Sequence, residues 1–589
     1  MSGRHALRLL KSWAFAVGLL ATALPALAAK GANPDFGPNV LIFDPSIPRE
    51  AIQKQIDAVY ASLGHNEFSS ERKALMFLPG SYSVDVPVGF YTEVIGLGAS
   101  PDATRIAGNV HADANHEHNN ATTTFWRAAE GFSVEPAGGT MQWAVSQAVS
   151  LRRMHVRGDL VLHQHRGWAS GGWMSDSLVD GNVDSGSQQQ WISRNCDWKN
   201  WTGSNWNMVF VGVPHPPEGA WPEPPYTKVA QTPVVREKPF LQVNAAGEFS
   251  VRVPELRTDS VGITWSAKGM RAKETPGGET PGETIPISKF YIARAEADTA
   301  ETINAELAQG KNLILTPGIY ELTGPIRVTR PHTVVLGLGF ATLRPVKGTA
   351  AITTADADGI EIAGLLFDAG PSQSPVLLEV GPEGSRERHA KDPITLHDVF
   401  FRVGGAGVGR AKVNLRINSN DTLVDHTWIW RADHGKGVGW DQNTSENGLV
   451  VNGNDVTVYG LFVEHHQKFQ VLWNGNGGRT YFYQSEIPYD PPNQASYASA
   501  PGVNGWASYK VADGVTRHEA WGLGIYSVFT YPNVILTLAI ETPKNPQVRF
   551  HDVITVALGD HGEISHVIND TGAATAMHPR VTPKVTDFP

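Results

Sequence analysis

The sequence is poor in the features that would stabilise an exported protein covalently: its 589 residues include a single cysteine, Cys196, so no internal disulfide can form. Stability must come from packing and from stacked backbone hydrogen bonds. Basic residues are outnumbered by acidic ones, 48 to 58. With a net charge of -10 and no basic stripe, the chain lacks the counter-charge that nucleic acid or a strongly acidic polysaccharide would need. A neutral partner is expected, with no nucleic acid and no membrane. After Leu24 no apolar run approaches the twenty residues of a membrane span, and long stretches of helical period are few.

The first thirty residues are basic at the start (Arg4, His5, Arg8, Lys11). They continue with an apolar run from Trp13 to Leu24 and the small-residue site Ala26-Leu27-Ala28. This order reads as a signal peptide over residues 1–28, cleaved near Ala28, and predicts a periplasmic or secreted protein. The remaining chain, about 560 residues, exceeds one ordinary core and predicts at least two domains.

The 60 glycines and 39 prolines punctuate short β-branched runs, which points to an all-β solenoid. The chain also repeats itself. Residues 76–82 read Met-Phe-Leu-Pro-Gly-Ser-Tyr and are followed by Thr92 to Gly98. Residues 314–320 read Ile-Leu-Thr-Pro-Gly-Ile-Tyr and are followed by Thr333 to Gly339. Pro79 and Pro317 are 238 positions apart and Gly96 and Gly337 are 241 apart, so two motifs recur in order at nearly constant spacing. Each copy follows a segment of helical period, Ile52 to Leu63 and Ala300 to Leu307, suited to cap the open end of a solenoid.

The predicted fold is two tandem right-handed parallel β-helices. The first spans residues 36–255 and the second 289–589. Residues 256–288, which include Glu-Thr-Pro-Gly-Gly-Glu-Thr-Pro-Gly-Glu, form a linker too polar to pack. Pro214 to Pro254 keeps apolar residues and reads as an ordered crossover strapping the helices together.

In such a stack, positions one coil apart on the same strand face lie about 4.8 Å from each other. Glu464 and Glu486 are 22 residues apart, one plausible coil, and can stack directly. Two carboxyls that close do not both ionise, so one stays protonated as a general acid, as glycosidic cleavage requires. The alternative is two glutamates on a solvated face, and spacing alone weighs the two readings about evenly. Glu519, in Arg-His-Glu-Ala-Trp-Gly, has a similar setting one or two coils on and is held in reserve.

Leu461-Phe-Val-Glu-His-His466 followed, after fourteen residues, by Tyr481-Phe-Tyr-Gln-Ser-Glu-Ile-Pro-Tyr-Asp-Pro-Pro492 resembles the paired signature of glycoside hydrolase family 55, the exo-β-1,3-glucanases or laminarinases. Trp428 to His434 and Gln188-Gln-Gln-Trp-Ile-Ser-Arg-Asn195 resemble two further segments of that family. The resemblance implies pectate-lyase-like solenoids packed side by side, a pocket between the two helices, and inverting hydrolysis from the non-reducing end. Glu486 would be the general acid and Glu464 the second essential glutamate. Gln188 and Gln190 would hold the attacking water from the first helix. Stacked carboxylates about 5 Å apart fit a retaining mechanism better than an inverting one, where the separation is roughly 6.5 to 9.5 Å. Under inversion, Glu464 would therefore tune Glu486 and grip a sugar hydroxyl rather than act as base.

Asp433, His434, His465, Trp473, Tyr489 and Glu519 are candidate sugar contacts. No metal or other cofactor is expected, since His465 and His466 are adjacent on a strand and point to opposite faces. A monomer is the expected state. Two other functions fit the architecture: a polysaccharide lyase, which would need a uronate substrate and a basic catalyst, and a non-catalytic glycan-binding solenoid.

Overall fold

The computed structural model describes residues 33–265 and 278–589. The proposed signal peptide and part of the proposed linker lie outside them. Within them the chain forms two right-handed parallel β-helices, each opened by one α-helix, Arg49–Leu63 and Ala300–Ala308.

The duplicated motif explains how each solenoid starts. The Tyr82 hydroxyl donates to the carbonyls of Phe43 and Leu78, both at 2.8 Å, and the Tyr320 hydroxyl donates to those of Ala293 (2.8 Å) and Thr316 (3.0 Å). In each copy, therefore, one tyrosine ties the Pro-Gly turn to the coil before it. Gly96 and Gly337 recur because the backbone of the next coil presses on them. A Cβ at either would lie 2.3 Å from a carbonyl oxygen, that of Gly131 or Gly364.

One parallel sheet of the first helix has nine strands, running from Val40–Phe43 to Tyr226–Val229. It faces a twelve-stranded sheet of the second helix, which includes Leu423–Arg431, Thr457–Glu464, Gly478–Glu486 and His518–Ser527. Side-chain alternation along these strands fills two places at once. Leu461 and Val463 enter the core of the second solenoid, whereas Phe462 joins an aromatic layer between the helices with Phe125, Trp126, Trp173, Trp428 and Trp430.

Beside that layer lies a buried belt of charge. Arg152 forks between Asp398 and Asp425, each at 2.7 Å, and Arg194 bridges Asp425 (2.9 Å) and Glu237 (2.7 Å). The segment from 214 to 254 contributes Lys238, which reaches Glu93 and Asp398 on opposite helices, and Val234, whose carbonyl accepts from the Tyr459 hydroxyl.

The expected linker differs from its prediction. Arg257–Ser260 pairs with Thr232–Val235, and Gly282–Pro286 pairs with Phe249–Pro254, both antiparallel. Trp265 is buried and donates to the Asp176 carbonyl at 2.7 Å. The backbone donors and acceptors of Gly282–Pro286 join an available sheet edge, and Ile285 packs on the apolar cluster beside it.

Candidate active site

Glu464 and Glu486 end adjacent strands and are register partners. Trp430 precedes them in the stack and Tyr526 follows. The alternation that sends Leu461 and Val463 inward turns Glu464 toward the first helix. The two glutamates thus stack on one face at the boundary between the solenoids.

Glu464 is buried, and each oxygen accepts a hydrogen bond: Oε1 from Gln147 Nε2 at 2.8 Å and Oε2 from Trp428 Nε1 at 3.0 Å. Burial lifts its carboxyl to about 8, although bonds from Gln484, Trp428 and Gln147 favour the charged form; Asp433 adds to the rise. Glu486 is partly open to the cleft. Its Oε2 accepts from the Tyr489 hydroxyl and its Oε1 from Gln484 Nε2 at 3.3 Å. Burial, then the charges of Glu464 and Asp433, push Glu486 well above the usual carboxylate range. The proton the pair keeps longest therefore belongs to Glu486, and Glu464, with two N–H donors, is the member suited to ionise first.

Gln147 reaches across from the first helix just before strand Val149–Arg152, and Ser170, one coil on, donates to its Oε1 at 3.2 Å. The helices approach closely here because of Gly171, whose φ is +132°. A Cβ at this position would lie 2.8 Å from the Phe462 ring.

Asp433 and His434 wall one end. His434 pairs with Asp433 through Nδ1 at 2.9 Å and with Glu67 of the first helix through Nε2 at 2.8 Å. Burial opposes its charge, but these two partners outweigh it and raise the imidazole to about 10. Burial likewise works against an Asp433 carboxylate, yet the bond from His434 and the nearness of His465 bring it down to about 2. His465 Nε2 lies 3.9 Å from Asp433, and the His465 ring sits 4.4 Å from that of Tyr489. Asp433, His434, His465 and Tyr489 therefore gather with the two glutamates.

Other expected residues do not. Gln188 is buried inside the first solenoid, its amide committed to Gly171 N (2.7 Å) and to the carbonyls of Val145 and Leu162 (3.2 Å each). It cannot turn to the cleft. Gln190, by contrast, shares the face of Ile192 that turns to the second helix, and its amide donates to the Ser170 carbonyl at 2.8 Å while its Oε1 is buried with no partner among the described residues. Trp473 belongs to the core of the second solenoid, stacked on Tyr509, because strand Val471–Trp473 turns Leu472 rather than Trp473 outward. Glu519 pairs in register with Arg479, seven positions upstream of Glu486, and contacts His551 at 3.1 Å. At about 3.3 Å per residue that is some 23 Å from the acid pair.

Gln147, Ser170, Trp428 and Gln484 are the contacts that the sequence did not reveal. The glutamine-rich strand pointed to the right helix but the wrong coil. A cavity of about 650 Å³ lies against the crossover and is lined by Asp44, Pro79, Gln242, Asn244 and Glu279 among others. It shares no residue with the cleft.

Three comparisons bear on this geometry. The family model of the LAM55 pectate lyase-like domain matches residues 290–486. An exo-β-1,3-glucanase of Streptomyces sp. (strain SirexAA-E / ActE) is 46% identical over 559 residues, 94% of this chain and 90% of that protein. The solved structure of sacteLam55A from Streptomyces sp. SirexAA-E aligns with a TM-score of 0.90 at 46% identity, covering 94% of this chain and 99% of that one. A variant of sacteLam55A in complex with glucose also aligns at 0.90 and 46%, covering 95% and 99%.

Proposed function

Because the chain belongs to glycoside hydrolase family 55, the laminarinase-type exo-β-1,3-glucanases, we propose that it removes glucose from the non-reducing end of a β-1,3-glucan with inversion. The observation that carries this reading is the register pair Glu464 and Glu486, with Gln147 of the other helix on Glu464.

Glu486, the carboxyl whose proton is held longest, donates it to the glycosidic oxygen as the bond to C1 breaks. Glu464 stays on the same side, its oxygens occupied by Trp428 and Gln147, and is poorly placed to attack C1 itself. That favours a water held from the first helix by Ser170 and Gln147. The hydrogen-bonded line from Ser170 through Gln147 ends on Glu464, where the water's proton is expected to go.

Exo action is supported by the Glu67, His434 and Asp433 chain, which crosses from one helix to the other and closes one end of the cleft. Beyond the other side stand Trp168, half exposed, and Trp206 stacked on it at 6.4 Å, with the buried Tyr526, the register partner of Glu486, behind Trp206. Aromatic faces of this kind suit the apolar faces of pyranose rings in the leaving chain. The basic, apolar and small-residue order of residues 1–28 supports export to the periplasm or beyond, and a monomer is the proposed state.

The test is hydrolysis of laminarin, with β-1,6-glucan, xylan and α-glucans alongside, following the first anomer by NMR. Release of α-glucose from laminarin is expected. A β-anomer formed first would refute inversion, and an inert laminarin would refute the substrate.

A further inference from the structure

Arg431 ends strand Leu423–Arg431 and is buried, and it takes no part in the proton chemistry above. All five of its N–H donors are used. Nε donates to the Asn443 carbonyl (2.9 Å), Nη1 to the His465 carbonyl (3.2 Å) and Asp490 Oδ1 (2.8 Å), and Nη2 to the Gly439 carbonyl (3.1 Å) and Asp490 Oδ2 (2.8 Å). The acceptors belong to three segments. One is the loop that follows Asp433 and His434, one is the turn directly after Glu464, and one is the turn after Glu486. A single planar fork thus fixes the three walls of the cleft at one point.

We propose that Arg431 is a positioning residue for the general acid: its grip on Asp490 holds the neighbouring Tyr489 with its hydroxyl on Glu486. The inference rests on the reading of Glu486 given above. Residues 487–491 carry no regular secondary structure, so no sheet ladder fixes Tyr489. What holds it is local. Its carbonyl accepts from Thr530 N at 2.8 Å, its ring lies against His465, and the next residue is clamped by both guanidinium arms. The bidentate fork fixes the orientation of Asp490 as well as its distance, which a lysine ammonium at the same position would not do. Orientation matters here because the Tyr489 hydroxyl meets the oxygen of Glu486 that is not bonded to Gln484.

Four variants test this: Arg431→Lys, Asp490→Asn, Tyr489→Phe and Arg431→Lys combined with Tyr489→Phe, each assayed on laminarin with its melting temperature recorded. Asp490→Asn leaves the three carbonyl contacts of Arg431 in place and guards against a variant that fails to fold. If Arg431 acts through Tyr489, Arg431→Lys lowers kcat by up to about 100-fold with KM nearly unchanged, as a small misplacement of a reacting group does. Asp490→Asn follows in the same direction, and the double variant is no slower than Tyr489→Phe alone. Losses that multiply in the double variant, or wild-type kcat in Asp490→Asn, would overturn the proposal. Wild-type enzyme assayed beside them separates the two questions. If it releases nothing from laminarin the substrate is wrong, and the positioning is then read from a crystal structure of Arg431→Lys. A Tyr489 hydroxyl displaced from Glu486 in that structure supports it, and one still in place refutes it.

Discussion

Gln147 and Glu464 are 317 positions apart in the chain, yet their side chains meet at 2.8 Å. This bond joins the two solenoids at the point where the chemistry is placed, so the site exists only when the helices are docked. Arg152, five residues beyond Gln147, is clamped to Asp398 and Asp425 of the second helix, and this sets how the two sheets lie against each other.

Replacing Glu486 by Gln removes the transferable proton and keeps the shape. A fall in kcat of about 1,000-fold on laminarin is expected, within the range of general acid catalysis. Glucose release at the wild-type rate would remove Glu486 from the mechanism.

The same substitution has a pH signature in stability. The Glu486 carboxyl is raised on folding, so its contribution is fully present below the ordinary carboxylate pKa and is lost as pH rises toward its elevated folded value. Glutamine does not ionise. Melting temperatures should therefore favour Glu486→Gln over wild type at pH 8 by more than at pH 4.

Glu464→Gln removes a like charge beside the acid. The carboxyl of Glu486 then loses its proton more readily, and the alkaline limb of kcat against pH moves to lower pH. A limb that stays in place or moves upward would show that the two carboxyls do not interact as their stacking requires.

The two glutamines of the first helix should separate cleanly. Gln147→Ala is expected to lower kcat, with a smaller loss of stability from the one buried donor that Glu464 Oε1 loses. Gln188→Ala leaves one N–H and two carbonyls unpaired in a closed interior, at roughly 1–3 kcal/mol for each buried group, and its main effect should appear in denaturant titration.

Glu519→Gln should keep wild-type kcat and KM, since Glu519 lies far along its strand from the acid pair. Trp473→Ala should instead cost about 3–5 kcal/mol of stability, the usual range for emptying a core position of this size. Loss of activity in a fully folded Glu519→Gln protein would return that residue to the site.

The coil of 22 residues between Glu464 and Glu486, and the tyrosines of the repeated motif, were legible because pairing in a parallel β-helix joins each strand to one a single coil away. The partners are near in sequence, and periodicity records them. Glu519 misled because the next coil is longer: Arg479 pairs with Glu519, 40 positions on, so a similar local motif falls at the other end of the strand. The inward turn of Trp473 was within reach of simple alternation over Val471, Leu472 and Trp473.

The sequence alone determined the two solenoids, their opening helices and the stacking of the acid pair, all consequences of local hydrogen bonding and a repeating side-chain pattern. Only the tertiary structure decided that Gln147 and Ser170, rather than Gln188, face Glu464, and that Glu67 meets His434. Those contacts arise where two sheets dock laterally, through aromatic packing and buried ion pairs between residues hundreds of positions apart, and no periodicity along the chain encodes that fit.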